Sequence, residues 1–320
     1  MNIPTLFNLI RLKCIAITTV VILTSCVSAQ ELFQKGVAEE QAGNQHQAFD
    51  YYTLAIKADT NFVKAYNNRA LIYMQQDQLS LATADLDTAL NIDANYGSAL
   101  VNRGTVYEKQ GDLKSAYTLY EKATKTTPDL VAGHFNAAKA ALSLRLINEA
   151  ARHIEAAEKL VNHEPVVDLL AGRIYMAANH PQKAYDLFNR LYQNDANDSE
   201  ALAGLIESSI QLNRHSEAVK HAEQLVKVRP NCADCIVLLS SLYIENNQKD
   251  TATNTLAKAV ENPNFASNTA IRYRLALLYA STSQNSKAIA QLEDYLKLRG
   301  DETDDEATSA RTLLESLRKK

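Results

Sequence analysis

The chain has 320 residues, 46% hydrophobic and 22% charged, with a net charge of −4. This is the balance of a folded chain with an extensive core, not of a disordered one. No basic block is long enough to give an electrostatic footprint for nucleic acid. Nine Gly, six Pro and no Trp suit helices joined by short turns.

Residues 1–30 read MNIPTLFNLIRLKCIAITTVVILTSCVSAQ. Arg11 and Lys13 precede an apolar run from Cys14 to Leu23. The run is shorter than the roughly 20 residues of a membrane span and fits a secretory signal. Two processing readings stand. Val27-Ser28-Ala29 before Gln30 offers the small residues of a soluble-protein cleavage site, making 1–29 the signal peptide. Leu23-Thr24-Ser25-Cys26 looks like a bacterial lipobox, making 1–25 a lipoprotein signal and Cys26 an outer-membrane lipid anchor. The first is favoured slightly, because the following repeats leave no room for a tether. A retained N-terminal anchor is the remaining alternative. All three readings place the mature chain outside the cytoplasm, in the periplasm or cell envelope.

From Ala29 a 34-residue frame runs through 29–62, 63–96, 97–130, 131–164, 165–198, 199–232 and 233–266. An eighth repeat begins at Thr269, after a two-residue slip beside Pro263. Position 20 is alanine in every repeat: Ala48, Ala82, Ala116, Ala150, Ala184, Ala218, Ala252 and Ala288. Position 8 is small, as in Gly36, Ala70, Gly104, Ala138, Gly172, Ser240 and Ala276, with Ile206 the exception. Small residues at these places let two helices cross closely. Position 15 is Gly43, Asp77, Gly111, Asn179, Asn213 or Asn247 in six repeats, residue types suited to ending a helix in the left-handed conformation. Pro128 and Pro230 stop second helices, and Pro181 sits near the start of one.

This pattern resembles the tetratricopeptide repeat (TPR) family over nearly all of the mature chain. The resemblance implies an all-α fold: a right-handed superhelical solenoid of eight helix-turn-helix repeats over 30–300. Residues 301–320 follow as a capping helix, in which Ala307, Ala310, Leu313, Leu314 and Leu317 form one apolar stripe. Such a cap shields the open end of a repeat array from water; a partner-binding amphipathic tail is the alternative.

In this architecture the first helices line the concave face through positions 2, 5, 6, 9, 12 and 13, whose spacing shares one side of a helix. Position 6 runs Gln34, Asn68, Asn102 and Asn136, then Leu170, Gly204, Leu238 and Arg274. An asparagine ladder can hydrogen-bond the backbone of an extended peptide through donor and acceptor alike, and peptide-binding TPR proteins use this position so. At about 1 kcal/mol net per bond, three Asn supply roughly a hundredfold in affinity, so neighbours must set specificity. Lys139 and Arg173 at position 9 offer a basic spot beside Asn136. Leu169, Leu170, Met176, Val237, Leu238 and Ile244 make the later lining more apolar. The chaperone-tail clamp of some family members is not assembled: the repeat at 63–96 has Asn67 and Leu71 at positions 5 and 9.

Cys232-Ala-Asp-Cys235 is the one chemically suggestive motif. Outside the cytoplasm a local disulfide is its simplest state. Free thiols, a thioredoxin-like redox pair and a zinc site completed by His215 or His221 are the alternatives, and no metal or other cofactor is expected. His134 falls at core-facing position 4. There is no HExxH, glycine-rich phosphate loop or GxSxG, and hence no catalytic residue to nominate. The expected function is a non-enzymatic, exported scaffold that binds a protein or peptide partner within a cell-envelope assembly. The alternatives are a redox-active accessory protein using Cys232 and Cys235, and a structural spacer that binds through its convex face.

Overall fold

A computed structural model describes residues 27–319; Cys26 and most of the signal region lie outside them. The described residues form 17 α-helices and no strand. In chain order these are α1 (Ala29–Gln41), α2 (Gln45–Ala58), α3 (Val63–Gln75), α4 (Leu79–Ile92), α5 (Gly97–Lys109), α6 (Leu113–Thr126), α7 (Val131–Ser143), α8 (Ile147–Leu160) and α9 (Pro165–Ala177). They continue with α10 (Pro181–Asn194), α11 (Ser199–Gln211), α12 (His215–Val228), α13 (Ala233–Glu245), α14 (Lys249–Glu261), α15 (Thr269–Ser281), α16 (Asn285–Arg299) and α17 (Asp305–Arg318). A 3-10 turn at Pro263–Phe265 marks the slip in the frame. All first helices start at position 1 of the repeat and all second helices at position 17, as eight TPR units require.

Contacts divide the chain into two compact bodies, one through Leu146 and one from Ile147. The first holds α1–α7 and the second α8–α17. Within each, consecutive helices pack side by side. All eight position-20 alanines have zero solvent exposure, so the seam between helices admits nothing larger than a methyl group.

The turns follow one rule. Position 15 has a positive φ in every repeat: Gly43, Asp77, Gly111, Arg145, Asn179, Asn213, Asn247 and Ser283. The next N–H then returns to the carbonyl at position 11, as in Gln78 to Tyr73 at 2.8 Å and Leu146 to Ala141 at 2.8 Å. This is the helix-ending bond of a Schellman-type cap. Arg145 and Ser283 adopt the same left-handed geometry without the residue types that favour it.

Helix starts are capped from within. Asp112 accepts the Ser115 N–H at 3.1 Å, Asp198 accepts those of Glu200 and Ala201, and Asp304 accepts that of Ala307. At α1 a full capping box forms: Ser28 Oγ accepts the Glu31 N–H at 3.2 Å, and the Glu31 carboxylate accepts the Ser28 N–H at 2.9 Å. At the far end α17 covers the last repeat. Ala310, Leu314 and Leu317 join Ala276, Leu292 and Tyr295 in one buried cluster, and the Tyr295 hydroxyl donates to Glu306 at 3.0 Å.

Candidate functional site

Glycine at position 8 does more than let helices approach. A Cβ built on Gly36 would lie 2.6 Å from the Tyr52 ring, one on Gly104 2.5 Å from Tyr120, and one on Gly172 2.6 Å from Phe188. Each ring is at position 24 of the same repeat. Where position 8 is Ala or Ser, position 24 is aliphatic, as in Ala70 with Leu86, Ala138 with Ile154, Ser240 with Leu256 and Ala276 with Leu292. The missing methyl makes room for a ring to pass between the helices. Correlated residues at positions 8 and 24 were the sequence signal for this packing, and the close-approach reading of position 8 alone did not use it.

The rings of Tyr52 and Tyr120 deliver hydroxyls to first-helix residues of the expected groove face. Tyr52 donates to Glu40 at position 12 at 2.5 Å and accepts from Asn68 at 3.2 Å. Tyr120 donates to Glu108 at 2.9 Å and shares a bond with Thr105 at 3.2 Å. Burial pushes both phenols far above their ordinary range, with the carboxylate partner adding to the effect. Both remain neutral donors at physiological pH.

The asparagine ladder is therefore partly engaged within the chain. Asn68 donates to Tyr52 and accepts from Asn67 at 3.1 Å, while Asn102 donates to Asn67 at 2.8 Å. Asn68, Asn102 and Asn136 are half-buried and Gln34 is exposed. Among the described residues no hydrogen bond to the Asn102 side-chain carbonyl is formed. Lys139 and Arg173 each already face a carboxylate: Lys139 pairs with Glu108 at 2.8 Å and Arg173 with Glu200 at 3.0 Å. The expected basic spot is thus two neutralised pairs, because acids at positions 12 and 2 were left out of the sequence reading.

In the second body the pattern changes at the fifth repeat. Phe188 follows the path of Tyr52 and Tyr120 but has no hydroxyl. Position 12 is Met176 instead of a glutamate, and position 6 of the next repeat is Gly204 instead of an asparagine. A Cβ on Gly204 would lie 2.5 Å from Phe188, so the ring reaches this face and closes it with carbon. Above it lies a cavity of about 570 Å³ between α9 and α11, lined by Arg173, Met176, Phe188, Glu200, Ala203 and Glu207 among others. Arg229 reaches it from the end of α12. In the sequence, Gly204 stands only among the position-6 residues that follow the asparagines.

Cys232 and Cys235 are joined by a disulfide. Cys232 caps α13, its Sγ accepting the Cys235 N–H at 3.1 Å. His134 is buried, its Nε2 3.0 Å from the Pro128 carbonyl. Among the described residues no cluster of three His, Cys, Asp or Glu could hold a metal ion.

The ChAPs family, described as Chs5p-Arf1p-binding proteins, matches residues 69–309. The chain belongs to this family. Its members share a TPR-like helical repeat, and the solved structures similar to this ChAPs-family chain are TPR proteins. One is YrrB, described as a TPR protein with an unusual peptide-binding site, at 18% identity and TM-score 0.52 over 56% of this chain and 92% of YrrB. Another is the C-terminal part of a TPR repeat-containing protein from Cytophaga hutchinsonii, at 17% identity and TM-score 0.51 over 87% and 98% of the two chains. A tetratricopeptide repeat protein from Parabacteroides merdae matches at 13% identity and TM-score 0.52 over 80% and 98%. At these identities the likeness establishes the fold. Comparison with curated proteins finds no significant match.

Proposed function

We propose that this chain is a non-catalytic interaction scaffold that takes an extended segment of a partner protein along its first-helix faces. One side chain of that segment enters the cavity over Phe188 in the second body. The observation that carries this reading is that cavity. Apart from Ser199 at position 1, its lining from α9 and α11 falls at positions 2, 5, 6, 9, 12 and 13, the face that repeat geometry assigns to ligands. Its floor is apolar, and among the described residues Glu207 and Arg229 in its lining make no ion pair within 4.0 Å. A few charged groups around an apolar floor are the usual make-up of a recognition pocket. The family description names partner-binding proteins, and YrrB is described by a peptide-binding site; both are in keeping with this role.

Photo-crosslinking in the native cell tests the proposal. A benzophenone side chain at Ala203 or Glu207 should give discrete protein adducts, and Ala203→Phe, which fills the cavity, should remove those formed from Glu207. Adducts that arise only from outward positions of second helices, such as Thr88, would refute groove binding in favour of the spacer reading.

The same proposal places the chain in the cell envelope, tethered by a lipid on Cys26. Support comes from the capping box at α1. Cleavage after Ala29 would remove Ser28, at a cost of about 1 kcal/mol to the helix start, whereas cleavage before Cys26 keeps it. The cap supports the lipid-anchored reading over cleavage after Ala29. Intact mass of the mature protein separates the two: a diacylglyceryl adduct on a chain beginning at Cys26 supports the anchor, and a Gln30 start refutes it.

A further inference from the structure

The Cys232–Cys235 disulfide lies outside the lining of the cavity over Phe188, and the repeats on either side show that the fold does not require it. Cys232 caps the first helix of the seventh repeat, and Cys235 is the third residue of that helix. One repeat earlier the same two places hold Asp198 and Ala201, and one repeat later Asn268 and Ile271. In both, the cap oxygen accepts the N–H of the third residue, at 3.1 Å from Ala201 and 2.9 Å from Ile271. Both third residues have zero solvent exposure, and neither pair can form a covalent bond. At α13 the Cys232 Sγ accepts the Cys235 N–H at 3.1 Å in the same way. The helix start is therefore built from one N–H and one acceptor. The disulfide adds to it a closed loop of very few residues, the kind that restricts an unfolded chain least.

We propose that this disulfide is an exchange centre, which oxidises a pair of thiols on a partner polypeptide and is itself left as a dithiol. The two sulfurs are unequal. Cys235 is buried at 7% exposure, whereas Cys232 is half-buried at the turn between α12 and α13. An incoming thiolate therefore reaches Cys232. Its attack forms a mixed disulfide with Cys232, breaks the Cys232–Cys235 bond and releases Cys235, which takes a proton. The partner's second thiolate then attacks the partner sulfur of the mixed disulfide, and Cys232 leaves as a thiolate. Two electrons and two protons pass from the partner dithiol to the chain, and the partner gains a disulfide. Cys232 is suited to leave because this place in the repeat already holds an anion elsewhere. The Ala201 N–H meets the carboxylate of Asp198, and the Cys235 N–H would meet a thiolate at Cys232 with the same charge-assisted bond. A better stabilised thiolate leaves faster. The exchange is stoichiometric, one partner dithiol per chain, so it adds a redox function to a scaffold without requiring turnover.

The experiment uses the full mature chain, a reduced peptide carrying two cysteines, and glutathione disulfide. Mixed with the peptide in equal amounts, the native chain should lose its disulfide and gain two labelled thiols. The peptide should be oxidised in equal measure, and helicity should not change. Single-cysteine variants give the second readout. Cys235→Ser keeps the accessible sulfur and should take up glutathione about tenfold faster, or more, than Cys232→Ser, whose remaining sulfur is buried. A disulfide that stays oxidised beside the peptide until urea unfolds the chain is purely structural, and that result overturns the proposal. Equal uptake by the two variants, or faster uptake at Cys235, overturns it as well, because the attacked sulfur would not be Cys232.

Discussion

Replacing Gly104 by alanine should destabilise the third repeat, although alanine is the better helix former. Intrinsic propensity favours alanine by roughly 0.5–1 kcal/mol. Against this, the new methyl would sit 2.5 Å from Cε1 and 2.8 Å from Cδ1 of Tyr120. The ring is fully buried and its hydroxyl is held at both Glu108 and Thr105, so it cannot swing aside without giving up those bonds. Overpacking of this kind costs about 1–3 kcal/mol, leaving a net loss of about 1–2 kcal/mol. Tyr120→Leu should reverse the sign. In that background Gly104→Ala recreates the Ala–Leu pair of repeats two and eight and should gain roughly 0.5–1 kcal/mol, a coupling of about 2 kcal/mol. Repeat arrays unfold by nearest-neighbour steps, so hydrogen exchange at amides of α5 and α6 is the local readout, with urea midpoints beside it. If Gly104→Ala protects those amides in the otherwise unaltered chain, room for the ring is not what the glycine supplies.

Arg145→Asn places a residue tolerant of positive φ at an exposed turn and should stabilise by about 1 kcal/mol, read as a raised urea midpoint. Asp85→Ala removes both carboxylate oxygens that Arg69 bonds at 2.8 and 2.7 Å, leaving it only the Thr53 hydroxyl at 3.3 Å, and should cost about 3 kcal/mol by leaving that charge uncompensated; thermal melts would show it. His221 is buried against Tyr185 and Tyr192 with its Nδ1 unpaired. Burial lowers its pKa, partly opposed by Glu217 and reinforced by Lys220. The unfolded chain then takes up the proton first, so stability is full above about pH 6.5 and falls below it. His221→Gln should flatten the dependence of the urea midpoint between pH 7.5 and 5.5, and an unchanged slope would assign it to other groups.

Helix limits were legible because they depend on local chemistry repeated along the chain. Invariant alanine at position 20 and Gly, Asn or Asp at position 15 fixed where each helix starts and turns. Arg145 and Ser283 were not legible as left-handed residues, since neither is a residue type that favours positive φ. The site was less legible than the fold. The asparagine ladder was visible as a column of like residues, but its bonds to Tyr52 and Asn67 depend on a ring crossing between helices. The cavity over Phe188 was harder still. It arises from three departures, at positions 24, 12 and 6, that are far apart in sequence and meet only when two repeats stack.

Most of the large–small matching in this chain is closed within a single repeat: Gly36 with Tyr52, Ala70 with Leu86, Gly104 with Tyr120. A stretch of 34 residues therefore carries its own fitted partner and can be copied, lost or exchanged without refitting its neighbours. Phe188 is the exception, since its ring also fills the space that a side chain at Gly204 would need. The fifth and sixth repeats are bound to one another as a heritable pair. Recombination that parts them would leave a clash or a hole, and would dismantle the cavity they share.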